Sequence, residues 1–489
     1  MNTSRRFSKI IVVLCACAAL FVVGGIVSHS NKPSATSGEG SKPKYIFYFI
    51  GDGMSFNHIL GTEQYNAVKK GCSEVERLNF STFDTRNFVT NHSSSNPVTD
   101  SAAAGTALAT GCKTANSYIG VDAEGRELRN LVDVAAETGY MVGLVTNVGI
   151  NHATPSCFYG HTSDRFGFPK LVSDYIDSPV AFIAGSTIMD MKSGPEDAKY
   201  EKVTTVQLAE RIRKAGIHLT LDIESAAKTE GQRVALVAND TLNRHVPYVI
   251  DRKGDEVHTL LNHSKAAIEY LTREAKDGFF LMIEGGKLDY AAHEQDAVTT
   301  FAEVNEFAQC VDLALAFAAE HPAETLIVVT ADHETGGMSL GWDNYEIRMN
   351  VLMAQRASAI EMTNIFQRMR AEGKRDWADY KQVLSDGFGL WSHVAVAEEE
   401  EALLKRDFYD IFLNYGPMVD GLYNKSEFVV YDAICILNRY ASIEWTSLFH
   451  TGMYTPLFAK GVGESRFLEC RDQTDIPKVI AGMMGGRLN

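Results

Sequence analysis

Short apolar runs recur along the chain at Tyr45–Ile50, Met141–Asn147, Val180–Ala184, Arg233–Val237, Phe279–Ile283 and Leu326–Thr330. Between them the spacing of apolar positions changes from runs to intervals of three and four. Val298, Phe301, Ala302, Ala308, Val311 and Leu315, for example, mark one face of a long helix after the fifth run. Strand-like runs alternating with helical stretches predict βα units, and hence an α/β fold with a central, largely parallel sheet flanked by helices. The alternation stops at about Trp342 and resumes after Glu444. The sequence between, with the acidic run Glu398–Glu401 and apolar Leu403, Leu404, Phe408 and Phe412, predicts a helical insertion in the C-terminal third. Residues 45–341 and 445–489 are thus expected to form one α/β catalytic domain, and 342–444 a cap over it or a contact in a homodimer.

Composition narrows the picture. With 489 residues, 45% hydrophobic and 22% charged, the chain has ample material for a packed core. Its net charge of −16 repels polyanions, so nucleic acid is not expected as a stable partner. The one long apolar run, Ile10–Val27, follows Arg5, Arg6 and Lys9, which predicts a signal peptide or N-terminal membrane anchor within residues 1–30. Residues 31–44, rich in Ser, Gly, Pro and Lys, read as a flexible tether. The expected location is periplasmic or otherwise exported, where disulfides among the six cysteines beyond the apolar run are allowed. None of those six forms a C-x-x-C pair, which argues against a cysteine zinc site.

In an open parallel sheet, ligands gather beyond the carboxyl ends of the strands. Here Tyr45–Ile50 runs into Asp52, and Met141–Asn147 leads to His152, Thr154 and Arg165. Phe279–Ile283 ends at Glu284, with Asp289, Tyr290 and His293 after it; Leu326–Thr330 ends at Asp332 and His333. Singly, each has an ordinary explanation as a turn residue, a helix cap or a surface pair. Together, carboxylates and imidazoles at one edge would repel one another unless cations lay between them. Mixed Asp/His sets favour zinc and an all-oxygen set favours magnesium. Ser101 precedes the alanine-rich stretch Ala102–Ala104, which places it at a helix start, either as a simple cap or as a nucleophile activated by the adjacent cluster.

The blocks Asp52-Gly53-Met54, Thr99-Asp100-Ser101-Ala102, His152-Ala153-Thr154-Pro155, Asp289 to His293, Thr330-Ala331-Asp332-His333 and His450-Thr451-Gly452 follow one another in the order and approximate spacing of the alkaline phosphatases. On these motifs the chain resembles that family from Lys44 to Leu340 and from His450 to about Val462. The resemblance implies a phosphate monoesterase in which Ser101 is transiently phosphorylated and Arg165 clamps the phosphate. It implies one zinc held by Asp289, His293 and His450, and a second held by Asp52, Asp332 and His333, with Ser101 bound there during attack. Asp52, Thr154 and Glu284 would hold a magnesium ion. His152 and Tyr290 stand where the best-known bacterial pattern has an acid and a lysine, so both are expected near the phosphate, His152 alternatively as a ligand of the third ion, directly or through water, and Tyr290 alternatively as a packing residue. Two rivals are weighed. A phosphodiesterase or sulfatase relative would generally lack the third-site set, and a non-catalytic zinc protein would not need both Ser101 and Arg165.

Overall fold

The computed structural model describes residues 42–72, 74–190, 202–343, 345–420 and 423–488. The expected signal or anchor, and all but Lys42–Lys44 of the tether, lie outside the described residues. Among those described, no helix is long and apolar enough to cross a membrane.

Eight strands of the main sheet are numbered in chain order: β1 (Tyr45–Gly51), β2 (Thr85–Val89), β3 (Met141–Thr146), β4 (Val180–Thr187), β5 (His218–Thr220), β6 (Val234–Asn239), β7 (Phe279–Gly285) and β8 (Thr325–Ala331). A ninth strand, Thr455–Gly461, lies between β2 and β8, and the order across the sheet continues β8-β1-β7-β3-β4-β6-β5. The expected α/β class is found. Every residue of β1, β7 and β8 is buried, as a parallel strand covered by helices on both faces requires. Alternate side chains of β1 feed two separate cores: Ile46, Tyr48 and Ile50 enter one, and Tyr45, Phe47 and Phe49 the other.

Three sheet strands were not anticipated. β2 alternates between buried and exposed residues, β5 is only three residues long, and Thr455–Gly461 contains Pro456, so none has a long apolar run. Thr455–Gly461 runs antiparallel to both of its neighbours. It returns the chain to the sheet after the last candidate ligand.

Register concentrates the chemistry. Ile50 pairs with both Glu284 and Thr330, and Thr146 pairs with Glu284, so β1, β3, β7 and β8 end level with one another. Residues just past those ends must therefore meet.

Within 342–444 four helices, Ala359–Ala371, Trp377–Phe388, Glu398–Arg406 and Phe428–Tyr440, close around Phe366, Tyr380, Phe408 and Phe412. This core continues into the body through Tyr65 and Phe301. At the root of the segment, Met338–Leu340 pairs antiparallel with Ile443–Trp445, and His450–Thr451 pairs with Glu334–Thr335. The second pairing carries His450 back to the sheet edge beside His333.

Candidate active site

Ser101 is the first residue of the buried helix Ser101–Thr110. The cap is its neighbour: Asp100 Oδ1 accepts from the Ala103 N–H at 3.0 Å. The serine hydroxyl is therefore not engaged in capping, and its Oγ lies 3.1 Å from His333 Nε2. Small residues let this helix sit close to its neighbours. A Cβ at Gly105 would lie 2.9 Å from Cys157 Sγ and 3.4 Å from the Thr154 Cα, so a larger residue would push the helix of Ser101 away from the turn bearing Thr154.

The expected metal ligands converge. Asp289 Oδ1 lies 3.3 Å from His293 Nε2 and 3.6 Å from His450 Nε2, and the two imidazole nitrogens are 3.1 Å apart. His293 Nδ1 faces the Leu448 carbonyl at 2.5 Å and His450 Nδ1 the Thr99 carbonyl at 2.9 Å. Both rings thus donate outward through Nδ1 and present a free Nε2 to the centre. Beside this set, His333 Nε2 lies 3.3 Å from Asp52 Oδ1 and 3.2 Å from Asp332 Oδ2. Asp332 Oδ1 accepts from the backbone N–H of Gly53 and of His333, leaving Oδ2 without a partner. Gly53 has φ +72°, and a Cβ there would lie 2.7 Å from Thr335 Oγ1 and 2.9 Å from Asp289 Oδ1; only glycine leaves the ligands room. The third group is Asp52, Glu284 and His152, which bring one ligand atom each within 4.8 Å of one another. His152, expected at the phosphate, thus also faces this third group. Thr154 Oγ1, Asp52 Oδ1 and Oδ2, Glu284 Oε1 and Asp289 Oδ2 are buried there with no partner in the chain.

Such a cluster is costly as bare protein. Burial, with Asp332, Asp289 and Glu284 alongside, drives the Asp52 carboxyl well above its ordinary range; burial also raises Asp332, and lifts Glu284 to about 7. For Asp289 burial acts in the same direction, but the imidazoles of His293, His450 and His333 outweigh it and hold the carboxyl below the usual range. Burial and the neighbouring His450 push His333 down, leaving a neutral imidazole with a lone pair to share. Unpartnered carboxylate oxygens facing the imidazoles of His333 and His450, which burial holds toward the neutral form, and that of His293 are the donor set of a divalent cation centre, and these residues fit one.

Arg165 reaches the same edge. Its Nη1 donates to Asp100 Oδ2 at 3.1 Å, its Nη2 to the Tyr423 hydroxyl at 3.1 Å, and Nη2 lies 3.4 Å from His152 Nε2. Asp100 therefore ties the arginine to the cap of the helix that begins at Ser101. The motif containing Asp100 was read only for its serine, as cap or nucleophile; the cap is the aspartate instead. Tyr423 was missed entirely. It comes from within 342–444 and stacks on Tyr290 with ring centroids 3.9 Å apart and planes at 15°. Tyr290 is thus placed against Tyr423 and, edge-on, against His152 at 6.0 Å; its buried hydroxyl has no partner. A cavity of about 680 Å³ opens beside Arg165, bordered by both tyrosines. The six cysteines beyond the N-terminal run are free thiols, with Cys157, Cys310 and Cys470 buried.

The sequence profile of the alkaline phosphatase family matches residues 43–485. The match runs through 342–444, which the motif resemblance had left outside. Among curated proteins, alkaline phosphatase 4 of Bacillus subtilis (strain 168) is 29% identical over 490 residues, covering 98% of this chain and 96% of that one. Alkaline phosphatase 3 of the same organism is 30% identical over 475 residues, covering 96% and 95%. Among solved structures, the cold-active alkaline phosphatase of a psychrophilic Shewanella shares the fold with a TM-score of 0.74 at 24% identity, over 90% of this chain and 99% of that one. With the family's profile spanning nearly the whole folded chain, and relatives matched over almost their full length, this chain belongs to the alkaline phosphatase family and is an enzyme of the phosphatase class.

Proposed function

We propose that the chain hydrolyses phosphate monoesters through a phosphoserine on Ser101, at a centre of two zinc ions and one magnesium ion. The observation that carries this reading is the buried Ser101 hydroxyl, not used in capping and 3.1 Å from His333, beside unpartnered Asp and Glu oxygens and with Arg165 alongside. Asp289, His293 and His450 would hold one zinc; Asp52, Asp332 and His333 the other; Asp52, Glu284, Thr154 and His152 the magnesium. Bound there, divalent ions supply Lewis acidity that lowers the serine's pKa and offsets charge on the leaving oxygen.

The chain's own groups do the rest. Ser101 Oγ attacks phosphorus in line with the ester oxygen, and the alcohol departs on the opposite side. Arg165, forked and always charged, takes two non-bridging oxygens; a monoester dianion offers them freely, whereas a diester has one blocked. Asp100 holds that fork through Nη1, and the Tyr423 hydroxyl meets it at Nη2. Water then attacks phosphoserine from the side the alcohol left, returning Ser101 and releasing inorganic phosphate. The apolar run Ile10–Val27 after three cationic residues supports export of the enzyme.

Release of nitrophenol from nitrophenyl phosphate and from bis-nitrophenyl phosphate, with and without a chelator, tests the reading. Chelator-sensitive turnover of the monoester, far above the diester, is expected. Equal turnover of both, or none of the monoester, would overturn it.

A further inference from the structure

Arg165 is held at both ends. Asp100 takes Nη1, and the Tyr423 hydroxyl accepts from Nη2 at 3.1 Å. A hydroxyl that accepts from arginine keeps its own proton to donate. The phosphate oxygen that meets Nη2 would therefore meet an O–H donor beside it. The ring has a second role. Stacked on Tyr290, and in edge-to-face contact with His152 and His293 at 5.6 Å each, it borders the cavity beside the ligand cluster. The cavity's wall sets apolar Phe166, Phe168 and Met189 among uncharged polar groups, three asparagines and Ser117, with His245 also on it. Arg165 is the one Lys or Arg among the described lining residues, and burial beside Lys287 leaves His245 neutral. A second anionic group on the substrate would find no cation here, whereas a flat ring would find aromatic faces.

We propose that Tyr423, supplied by the inserted segment, is the specificity-determining residue of this site: its hydroxyl positions Arg165, and its ring, backed by Tyr290, walls a leaving-group subsite for flat, uncharged, ring-bearing alcohols. The proposal rests on the monoesterase reading and adds the class of substrate to it. Benzyl phosphate and butyl phosphate make the comparison clean, because both are esters of primary alkyl alcohols of similar intrinsic reactivity.

The wild type should favour benzyl phosphate in kcat/KM by about fivefold, the worth of one aromatic contact of roughly 1 kcal/mol. Tyr423→Leu should bring that ratio to near unity. Tyr423→Phe, which keeps the stack, should keep the ratio but raise KM for both esters, and the inhibition constant of inorganic phosphate, by about fivefold with kcat little changed. Metal content equal to wild type establishes that each variant is folded. A wild-type ratio near one, or a ratio untouched by Tyr423→Leu, overturns the subsite. Unchanged phosphate inhibition in Tyr423→Phe overturns the positioning role. Failure of the wild type to hydrolyse either ester overturns the monoesterase reading, and this proposal with it.

Discussion

At the carboxyl edge of the sheet, Asp52, Glu284, Asp289 and Asp332 are fully buried within reach of one another, and each keeps an oxygen without a partner. Thirty and more residues further along the chain, the segment 342–444 buries Trp377, Tyr380, Phe408 and Phe412 in edge-on and tilted contacts at ring distances of 4.6 to 5.4 Å. The first region accumulates charge that destabilises the bare protein and creates affinity for cations. The second releases apolar surface from water and gains stability by packing. Function and stability are therefore written in different residues, and they touch at Tyr423, the described aromatic residue of the segment that reaches Arg165.

The contrast can be broken from either side. Chelation acts on the first region alone: activity on a small monoester should fall at least about a thousandfold, and zinc with magnesium should restore it more fully than zinc alone. Elemental analysis of the restored enzyme should find two zinc equivalents; full activity with fewer would refute a two-zinc centre. Phe408→Ala acts on the second region. Removing a fully buried ring there should cost about 3–5 kcal/mol in denaturant unfolding, while metal content and small-ester turnover in the folded protein stay near wild type. Loss of zinc in that variant would mean that the segment's core holds the ligand edge in place.

Arg165→Lys keeps the charge but loses the fork that Asp100 and Tyr423 hold, and should lower kcat/KM by about a hundredfold while leaving zinc bound. A tenfold or smaller loss would assign the arginine a role through charge alone. The smallest effect is the sharpest discriminator. In metal-free protein Asp52→Asn removes one of several crowded carboxyls, and should stabilise by about 1–2 kcal/mol; in the presence of metals the same change should destabilise. Thermal unfolding with and without zinc reads both signs, and destabilisation under both conditions would show that Asp52 is a structural residue.

Much of this centre was legible because a parallel sheet makes strand ends converge. Asp52, Glu284 and Asp332 follow apolar runs directly, and the level register of β1, β7 and β8 does the rest. The grouping of His152 with Asp52 and Glu284 was suggested by the family motif alone, because the turn after β3 carries no periodic signal. The cap expected from the sequence was Ser101; that Asp100 takes the place was not read, and its second oxygen's bond to Arg165 spans 65 residues of sequence. Tyr423 lies 258 residues from that arginine, inside a segment read only for its amphipathic pattern, and no local spacing could have tied the two together. The half-exposed β2 and the proline-bearing last strand were missed because edge and antiparallel strands need no continuous apolar run.

The central claim is that Ser101 becomes covalently phosphorylated. Metal-loaded enzyme incubated with labelled inorganic phosphate at acid pH, quenched and mapped by peptide should carry the label on Ser101, and Ser101→Ala with full metal content should carry none. Equal labelling of the two proteins, or label on another residue, would contradict the account.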